Sequence, residues 1–561
     1  MMASSKTFAA FACFLGFSFA ALAGDTTKAK PVTIPHLEKR GKATQLIVNG
    51  QPFLILGGEL HNSSASSTTF MQPVWKRLSS INMNTVLASV SWELVEPEEG
   101  KFDFSLVNDL IKDARKNNMK LSLLWFGSWK NGLSHYTPAW VKKDYKRFPR
   151  MRLKNKLPVE AITPFSEDAM NADAKAFAAL MKYIKKTDEA QQTVILIQVQ
   201  NEVGLIGESR DHSEAANKFY SQPVPTELIG HMQKNKETLL PEYRQLWAAQ
   251  GFQTTGTWTE VFGNTASSEE AFMAWQYARY INKVAEAGKA QYPLPMFVNA
   301  WIVQPEDLKP GDYPSGGPQS HLLDIWRAAA PAVDLFSPDI YLPNFDEVAA
   351  SYTRSGNVLF VPESRGDAQG AANAFYAIGQ HNAIGYSPFG IDNRVEDPAN
   401  APLSKAYAIL QQLTPKILIA QSKGSIAGIW LNPKKKKQQV ELGGYHLDIV
   451  LRNSLWRTET SPENGYGLVI ADGPDEFIIA GKDIQFNFFP PSGGTGYIGI
   501  ASIDEGAYVN GKWVAGRRLN GDDIMYNYKI AEEIALQKNG TVVRLTGDGP
   551  KVLRVKLYRY E

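Results

Sequence analysis

Short apolar runs alternate with longer segments of helical periodicity between about residue 50 and residue 425. Eight of these runs carry β-forming residues and predict strands: Phe53–Leu60, Thr85–Trp92, Lys120–Phe126, Val194–Gln200, Met296–Trp301, Leu335–Tyr341, Val358–Val361 and Ala383–Tyr386. The segments between them predict helices: Ser105–Asn117, Asp168–Lys186, Glu269–Ala290, Ser320–Ala330, Gly370–Gly379 and Leu403–Ser422. Several runs are apolar throughout, as expected of parallel strands covered on both faces. The pattern predicts the α/β class, and eight alternations favour a closed (β/α)₈ TIM barrel over an open doubly wound sheet.

The pattern of hydrophobic and polar residues changes at about Ile426. Beyond it, short β-type runs lie between Gly, Pro and Asn turns, with no long helical period: Ile426–Leu431, Gly467–Ile470, Phe477–Ala480, Ile484–Phe489, Gly496–Ile500, Thr541–Leu545 and Val552–Tyr558. This pattern predicts an antiparallel β-sandwich or two small β modules. The basic run Lys434–Lys437 predicts a solvated hairpin tip, with a polyanion contact as the alternative.

The first 23 residues have the features of a secretory signal peptide. Lys6 precedes an apolar run from Phe8 to Leu22, which ends at the small-residue pattern Ala21-Leu22-Ala23. The alternative is a membrane anchor, but the run is short for one and no second apolar stretch of about 18 residues follows. We therefore expect an exported protein, periplasmic or extracellular, with no membrane span after cleavage. The only cysteine, Cys13, lies inside the signal segment, so the exported chain would carry no thiol.

These features divide the chain into four parts. Residues 1–23 are the predicted signal peptide, 24–44 a lead-in, 45–425 the catalytic barrel and 426–561 the β-rich C-terminal domain. The length of 561 residues is ample for several cores.

Composition excludes several classes of function. A net charge of +2 gives no general electrostatic case for binding nucleic acid. The eight histidines form no His-Glu-x-x-His pair, and no Gly-x-Ser-x-Gly elbow is present, so neither a metallohydrolase nor a serine hydrolase is indicated. No metal or cofactor is expected. The 13 tryptophans fit sugar-stacking sites and large cores equally well.

Two predicted strands end on a carboxylate. The fourth run ends at Asn201-Glu202 and the seventh at Glu363. The carboxyl ends of barrel strands meet at one face, where chemistry is located in this fold. Retaining glycosidases need two facing carboxyl groups about 5–5.5 Å apart. A single strand-end glutamate favours a buried ion pair instead, but two of them favour the catalytic interpretation. Arg365 is expected either to hold Glu363 ionised or to form a salt bridge at the rim.

Two further segments identify a family resemblance. Gly58-Glu59-Leu60-His61 is similar to the G-E-[IL]-H strand of the family 35 β-galactosidases. Residues 91–104 resemble that family's W-x-x-x-E-P-x-x-G-x-F-D-F signature. The similarity covers roughly residues 45 to 395. It implies a retaining (β/α)₈ glycosidase with a galactose pocket and no metal, in which Glu202 is the acid/base and Glu363 the nucleophile.

Six other residues are expected to bind substrate: Asn201, Tyr341, Trp129, Asn131, Glu93 and His61. By the resemblance, Asn201 would bond the sugar 2-hydroxyl and Tyr341 would donate to Glu363; the alternative for Tyr341 is a core aromatic. Trp129 is expected either to stack on a sugar or to pack in the core. Glu93 and His61 would face the barrel mouth or act as structural hydrogen-bond partners.

The sequence also departs from the family pattern. Asn62 stands where the family usually has Tyr, and residues 125–132, which include Trp129 and Asn131, replace the usual strand-three sequence. These departures resemble a bacterial branch whose members act on galactosylated plant polysaccharides. The predicted function is retaining exo-β-galactosidase action on oligosaccharides such as xyloglucan fragments. The alternatives are a β-glucosidase or β-mannosidase, and a non-catalytic carbohydrate-binding barrel.

Overall fold

The structure is a computed structural model that describes residues 1–2, 33–392, 401–451, 462–491, 494, 496–519, 539–545 and 549–561. Most of the predicted signal segment, including Cys13, lies outside the described residues. From Thr33 onward the chain forms one compact unit. None of the described helices is both long and apolar enough to cross a membrane.

An antiparallel sheet precedes the barrel. Its strands are β1 (His36–Arg40), β2 (Ala43–Val48) and β3 (Gln51–Phe53). Leu46 and Val48 of β2 are buried in the same apolar cluster as the barrel interior, so this sheet closes one end of the barrel. Residue 45, where the sequence analysis starts the barrel, lies within strand β2 of this sheet.

Seven parallel strands form most of the barrel wall: β4 (Ile55–Glu59), β5 (Thr85–Ser91), β6 (Lys120–Lys130), β9 (Val194–Asn201), β10 (Met296–Trp301), β11 (Leu335–Asp339) and β12 (Gly385–Tyr386). Their spatial order is β11-β10-β9-β6-β5-β4-β12. A short hairpin, β7 (Arg150–Arg152) and β8 (Pro158–Ile162), lies in the loop after β6.

The predicted seventh strand closes the ring without being a regular strand. Residues 358–364 lie between β11 and β12: the amide of Ile340 donates to the Glu363 carbonyl (3.0 Å), and the amide of Ser387 donates to the Val361 carbonyl (2.9 Å). Pro362 has no N–H to continue the ladder. The wall therefore has eight members, and the (β/α)₈ barrel predicted from the sequence is confirmed.

The helices of the predicted barrel segment lie around the wall and in its loops: α1 (Thr68–Ser79), α2 (Trp92–Val95), α3 (Ser105–Lys116), α4 (Ala139–Lys143), α5 (Glu167–Asp188), α6 (Glu214–Tyr220), α7 (Thr226–Lys234), α8 (Pro241–Ala248), α9 (Trp258–Phe262), α10 (Ala266–Lys289), α11 (Leu323–Ala329), α12 (Phe345–Ser351), α13 (Ala368–His381) and α14 (Pro402–Lys423). Their starts follow local sequence. At α5, for example, the Ser166 hydroxyl accepts from the amide of Ala169 (3.2 Å), and Glu167 and Asp168 complement the helix dipole.

The β-rich region forms two antiparallel sheets, as predicted. Its strands are β13 (Ile426–Leu431), β14 (Lys437–Leu442), β15 (Tyr445–Leu451), β16 (Gly465–Gly473), β17 (Glu476–Lys482), β18 (Ile484–Phe489), β19 (Tyr497–Val509), β20 (Lys512–Arg518), β21 (Thr541–Arg544) and β22 (Lys551–Tyr560). The sheet orders are β13-β16-β17-β22-β19-β20 and β14-β15-β18-β21. One apolar cluster between them contains residues from both sheets, which makes the region a sandwich.

The sandwich packs on the barrel through close backbone contact. A Cβ on Gly379 of α13 would lie 2.7 Å from the Cα of Gly428 in β13. The basic run Lys434–Lys437 is only partly a solvated tip: Lys435 pairs with Asp346 of α12 (2.8 Å), and Lys437 begins β14. This ion pair also links the two regions.

Candidate active site

Alternation along the barrel strands puts polar side chains at one end of the lumen. Five apolar side chains, one from each of β4, β6, β9, β10 and β11, belong to the buried interior cluster: Ile55, Phe126, Ile195, Phe297 and Leu335. Side chains an even number of positions further along a strand share the face of these residues. On the same strands these positions are Glu59, Lys130, Asn201, Asn299 and Asp339. All five are buried, so an ionisable layer lies above an apolar floor at the carboxyl ends of the strands.

Three carboxyl groups meet in this layer. Glu202, Asp339 and Glu363 each place one oxygen within 4.8 Å of the other two. They are 7%, 3% and 5% exposed. The close approach of Glu202 and Glu363 is compatible with the paired carboxyl groups of glycosidases, which stand about 5–5.5 Å apart in retaining enzymes.

Both oxygens of Glu363 accept hydrogen bonds. The Tyr341 hydroxyl donates to Oε2 (3.0 Å), while Nδ2 of Asn201 (3.3 Å) and Nδ2 of Asn299 (3.4 Å) lie at Oε1. Donors directed at both oxygens stabilise the ionised form of a carboxyl group. Glu363 is therefore held in place through both of its oxygens.

Glu202 has a different environment. Its amide donates to Oδ1 of Asn299 (3.0 Å), and its φ of 45° lies in the left-handed region that non-glycine residues rarely adopt. Burial, and then the charge of Glu363, raise the pKa of Glu202 to about 7. Its carboxyl group is thus suited to carry a proton near neutral pH.

Asp339 completes the trio, and the sequence reasoning did not select it. Oδ2 accepts from Nδ2 of Asn299 (2.7 Å), while burial, then Glu363 and Glu202, raise the pKa of Asp339 well above its usual value. Three carboxyl oxygens at this spacing are also within reach of a metal ion. The hydrogen-bond donors on Glu363 and the nearby Lys130 ammonium disfavour a bound metal ion. They favour instead a cluster whose negative charge is balanced by Lys130 and by protons.

The sequence pattern does not identify Glu59 or Lys130 as site residues either. Glu59 is fully buried, and burial, followed by Glu363, raises its pKa well above the usual value. Lys130 is 7% exposed, and its pKa is raised because the acids around it outweigh the effect of burial. A signal was available in the sequence: both residues lie four positions beyond an inward-facing apolar residue of their strand.

The structure corrects the expected stacking role of Trp129. Its indole is fully buried and donates to the Ile162 carbonyl (3.0 Å), and its ring lies edge-on to Tyr277 and Tyr280 of α10. The physical reason is alternation: β6 continues past Phe126, so Trp129 faces the helices while Lys130 faces the lumen. Trp129 is a core residue, as the alternative interpretation has it.

Asn131, in contrast, borders the carboxylate cluster. Its amide donates to the Asn201 carbonyl (3.2 Å), and it adopts a φ of 51°. Its Oδ1 is buried without a protein partner among the described residues, as is Oδ1 of Asn201. Both amide oxygens remain as acceptors for a sugar hydroxyl.

His61, Glu93 and Arg365 have other partners. His61 Nδ1 lies 2.7 Å from Oδ1 of Asp392, so it is a structural hydrogen-bond partner at the mouth. Glu93 pairs with Lys142 (3.0 Å) and faces a separate cavity of about 430 Å³. Arg365 forms an exposed ion pair with Asp367, which is the rim salt bridge and not a contact to Glu363.

Known proteins match two parts of the chain. Residues 45–279 match the model of glycosyl hydrolases family 35. The chain resembles family 35. This confirms the resemblance expected from the Gly58–His61 and 91–104 segments. Residues 403–531 match a domain of unknown function, DUF5597, which includes α14 and much of the sandwich.

Similar curated proteins include three from distant organisms. A β-galactosidase of Xanthomonas manihotis is 26% identical over 204 residues, which cover 35% of this chain and 31% of that protein. β-Galactosidase 13 of Arabidopsis thaliana is 29% identical over 200 residues, covering 34% and 22%. Human β-galactosidase-1-like protein 3 is 26% identical over 231 residues, covering 38% and 31%. The matches thus span less than a third of each relative's length.

Solved structures show a weaker likeness. The β-galactosidase of Bacillus circulans sp. alkalophilus has a TM-score of 0.46 at 15% identity, covering 65% of this chain and 57% of that one. The β-1,4-D-mannanase of Cryptopygus antarcticus has a TM-score of 0.40 at 14% identity, covering 67% and 95%. The barrel assignment rests on the strand order and hydrogen bonds described above and not on these scores.

Proposed function

We propose that this protein is an exported, retaining exo-β-galactosidase that removes terminal β-galactosyl residues from plant-wall oligosaccharides such as xyloglucan fragments. One observation carries the chemistry: Glu202 and Glu363 lie together at the strand ends, Glu202 with a raised pKa and Glu363 with hydrogen-bond donors directed at both of its oxygens. A carboxyl group with a raised pKa beside a second one that accepts hydrogen bonds matches the acid and nucleophile roles in retaining glycosidases.

In the first step, a carboxylate oxygen of Glu363 attacks the anomeric carbon as the glycosidic C–O bond breaks. Glu202 transfers its proton to the departing oxygen, so the aglycone leaves as a neutral alcohol. The product is a glycosyl ester on Glu363 with inverted configuration. Tyr341 and Asn201 hold the nucleophile in place through their hydrogen bonds to its two oxygens.

In the second step, Glu202, now ionised, takes a proton from water. The oxygen of that water attacks the anomeric carbon, and the bond to Glu363 breaks. Glu202 ends protonated and Glu363 ionised, as at the start. Two inversions give β-galactose. Loss of the Glu363 charge in the ester lowers the pKa of Glu202, since that charge contributes to the raised value.

Support for the sugar, the exo mode and the location comes from separate observations. Relatives of the barrel region are named β-galactosidases. The reacting carboxyl groups are only 5–7% exposed, which suits a pocket for one terminal sugar better than an open cleft. Export is supported by the signal-type segment at residues 1–23.

Hydrolysis of nitrophenyl glycosides tests the proposal. The β-galactoside should be cleaved at least 10-fold faster than the β-glucoside or β-mannoside, and Glu363→Gln should remove the activity. Proton NMR should show β-galactose before α-galactose. A β-glucoside or β-mannoside preference would support the alternative sugars, and no hydrolysis of any glycoside would support the non-catalytic alternative.

A further inference from the structure

Glu59 has no protein partner for its carboxyl group. The side chain lies at the end of β4, on the same face as Ile55 in the apolar floor, and is fully buried. Among the described residues, neither Oε1 nor Oε2 has a hydrogen-bond partner. Leaving a buried carboxyl group without a hydrogen-bond partner destabilises the fold. A buried polar group without a protein partner requires an explanation, and a ligand that hydrogen-bonds to it is one.

Lys130 lies in the same layer, on β6, with β5 between it and β4, and its charge acts on Glu59. The ammonium group lies 5.3 Å from the centre of the Phe126 ring, which belongs to the barrel floor, and the residue is 7% exposed. It forms no ion pair within 4.0 Å with any carboxylate of the described chain. Four acids surround it at longer range, one each from β4, the end of β9, β11 and segment 358–364: Glu59, Glu202, Asp339 and Glu363.

We infer that Glu59 and Lys130 are specificity-determining residues that hydrogen-bond neighbouring hydroxyl groups of the terminal sugar. An ammonium and a carboxyl group that face the same space from β6 and β4, with β5 between them, offer donors and an acceptor to two ring hydroxyls. Both project from the barrel wall towards the space above the floor, where the reacting carboxyl groups also lie. This inference rests on the proposed function, because it assumes that the sugar bound there is the one released.

The charge state of the pair fits this role. Burial and the neighbouring acids raise the pKa of Glu59, which favours the protonated form that can both donate and accept a hydrogen bond. The pKa of Lys130 is also raised, so it stays an ammonium donor. We assign the 2-hydroxyl to Asn201, next to the nucleophile, and therefore expect the pair to contact hydroxyls elsewhere on the ring.

Deoxygenated substrates test the contact directly. Wild type, Lys130→Met and Glu59→Gln are compared on nitrophenyl β-galactoside and its 2-, 3-, 4- and 6-deoxy analogues. Lys130→Met should lower kcat/KM on the intact galactoside by about 10- to 100-fold, the range for losing a hydrogen bond to a charged group. On one analogue, not the 2-deoxy sugar, the same substitution should cost less than about 3-fold. Glu59→Gln should show the same pattern for a neighbouring hydroxyl, with a smaller loss.

Lys120→Met is the matched control. Lys120 begins the same strand β6 at the far end of the barrel, where its ammonium donates to the Gln192 carbonyl (2.6 Å). Its substitution should leave kcat/KM on all five substrates within about 2-fold. Lys130→Arg, which keeps the charge and the donors, should recover part of the loss. It also supplies the measurement if the methionine variant does not fold.

If Lys130→Met lowered kcat/KM equally on the intact and all the deoxy substrates, the inference would be overturned. Lys130 would then act only through its charge or through the stability of the fold, and not through a hydroxyl contact. Failure of the proposed function gives a different result, namely a wild type that does not cleave the β-galactoside. The deoxy series of whichever glycoside the wild type cleaves then tests the pair. If it cleaves none, calorimetry with free galactose against its deoxy analogues provides the same comparison.

Discussion

The hydroxyl of Tyr341 donates a hydrogen bond to Oε2 of Glu363 across 3.0 Å. Tyr341 follows β11 and Glu363 lies in the neighbouring wall segment 358–364, and the Ile340 amide joins the same two segments by donating to the Glu363 carbonyl (3.0 Å). The backbone contact fixes the distance between the segments, and the side-chain contact orients the carboxylate. The position of the Glu363 carboxyl group and the closure of the barrel therefore depend on the same pair of chain segments.

Tyr341→Phe should lower kcat about 10- to 100-fold, because a hydrogen bond to a charged acceptor contributes about 1.5–3 kcal/mol. KM should change little, because the Tyr341 hydroxyl contacts Glu363 and is not expected to contribute to binding of the sugar itself. Tyr183→Phe, on α5, is a matched control with no hydrogen bond from its hydroxyl among the described contacts, and it should keep full activity. An unchanged kcat for Tyr341→Phe would show that Glu363 does not need this donor.

The basic limb of the pH profile should report Glu202. Its pKa is raised to about 7, and only the protonated form can act as the acid. For a substrate with a poor leaving group, kcat/KM should therefore fall by half near pH 7 and decline tenfold per unit above it. Dinitrophenyl β-galactoside needs little proton transfer and should lose most of this limb. A basic limb that is identical for the two substrates would assign it to another group.

The raised pKa of Glu202 also predicts how the stability of the fold changes with pH, in the direction opposite to that expected of a carboxylate in a surface ion pair. A carboxyl group whose folded pKa exceeds its unfolded value stabilises the fold below about pH 4.5, and this contribution is lost as pH rises through about 7. A shift of this size corresponds to roughly 3 kcal/mol as an upper bound. Glu202→Gln should therefore raise Tm at pH 8 relative to wild type, and by less at pH 4.5.

Glu99→Gln is the control for that measurement. Glu99 is exposed and its pKa is lowered by the hydrogen bond from Arg147. Its neutralisation should slightly lower Tm at pH 8, opposite in sign to Glu202→Gln. A Tm at pH 8 that falls for both variants would mean that Glu202 is favourably ionised in the folded protein.

Contact between barrel and sandwich should be sensitive to a single methyl group. A Cβ on Gly428 would lie 2.6 Å from the Gln380 amide nitrogen and 2.8 Å from the Tyr376 carbonyl, and backbone atoms cannot move aside cheaply. Gly428→Ala should destabilise by about 1–3 kcal/mol. Gly230→Ala is the control: in α7 a Cβ meets no described atom within 4 Å outside its own helix, and the change should stabilise by up to about 1 kcal/mol. Equal Tm changes would contradict the packing described here.

The sequence was most informative where a segment is buried on all sides. The apolar runs of the barrel strands and the long amphipathic helices such as α5 and α10 were predicted within a few residues. The sheet of β1–β3 was not predicted, because β1 is short and half-exposed and shows no clear alternation. Helices α6–α9 were also missed, since helices of five to nine residues hold too few turns to reveal a period.

Site residues could be predicted only where the hydrophobic pattern marks the end of a strand. Glu202 and Glu363 stand out in the sequence because each closes an apolar run, and the structure brings the two together. Lys130 was missed, and Trp129 misplaced, because β6 continues for four residues beyond Phe126 through Gly127 and Ser128, which look like a strand end in sequence. Asp339 and Asn299 act through hydrogen bonds between different strands, and such pairing is visible only after the barrel closes.

Azide rescue of Glu202→Ala tests the central claim most directly. Without the acid, glycosylation by an alkyl β-galactoside should slow by about 10²–10⁴-fold, while a dinitrophenyl substrate still forms the ester on Glu363. Without the base, that ester should accumulate, and azide, which needs no base, should restore turnover. The product should be β-galactosyl azide, while Glu363→Gln remains inactive on the dinitrophenyl substrate without azide. An α-galactosyl azide from Glu202→Ala would contradict the assignment and exchange the roles of the two carboxyl groups.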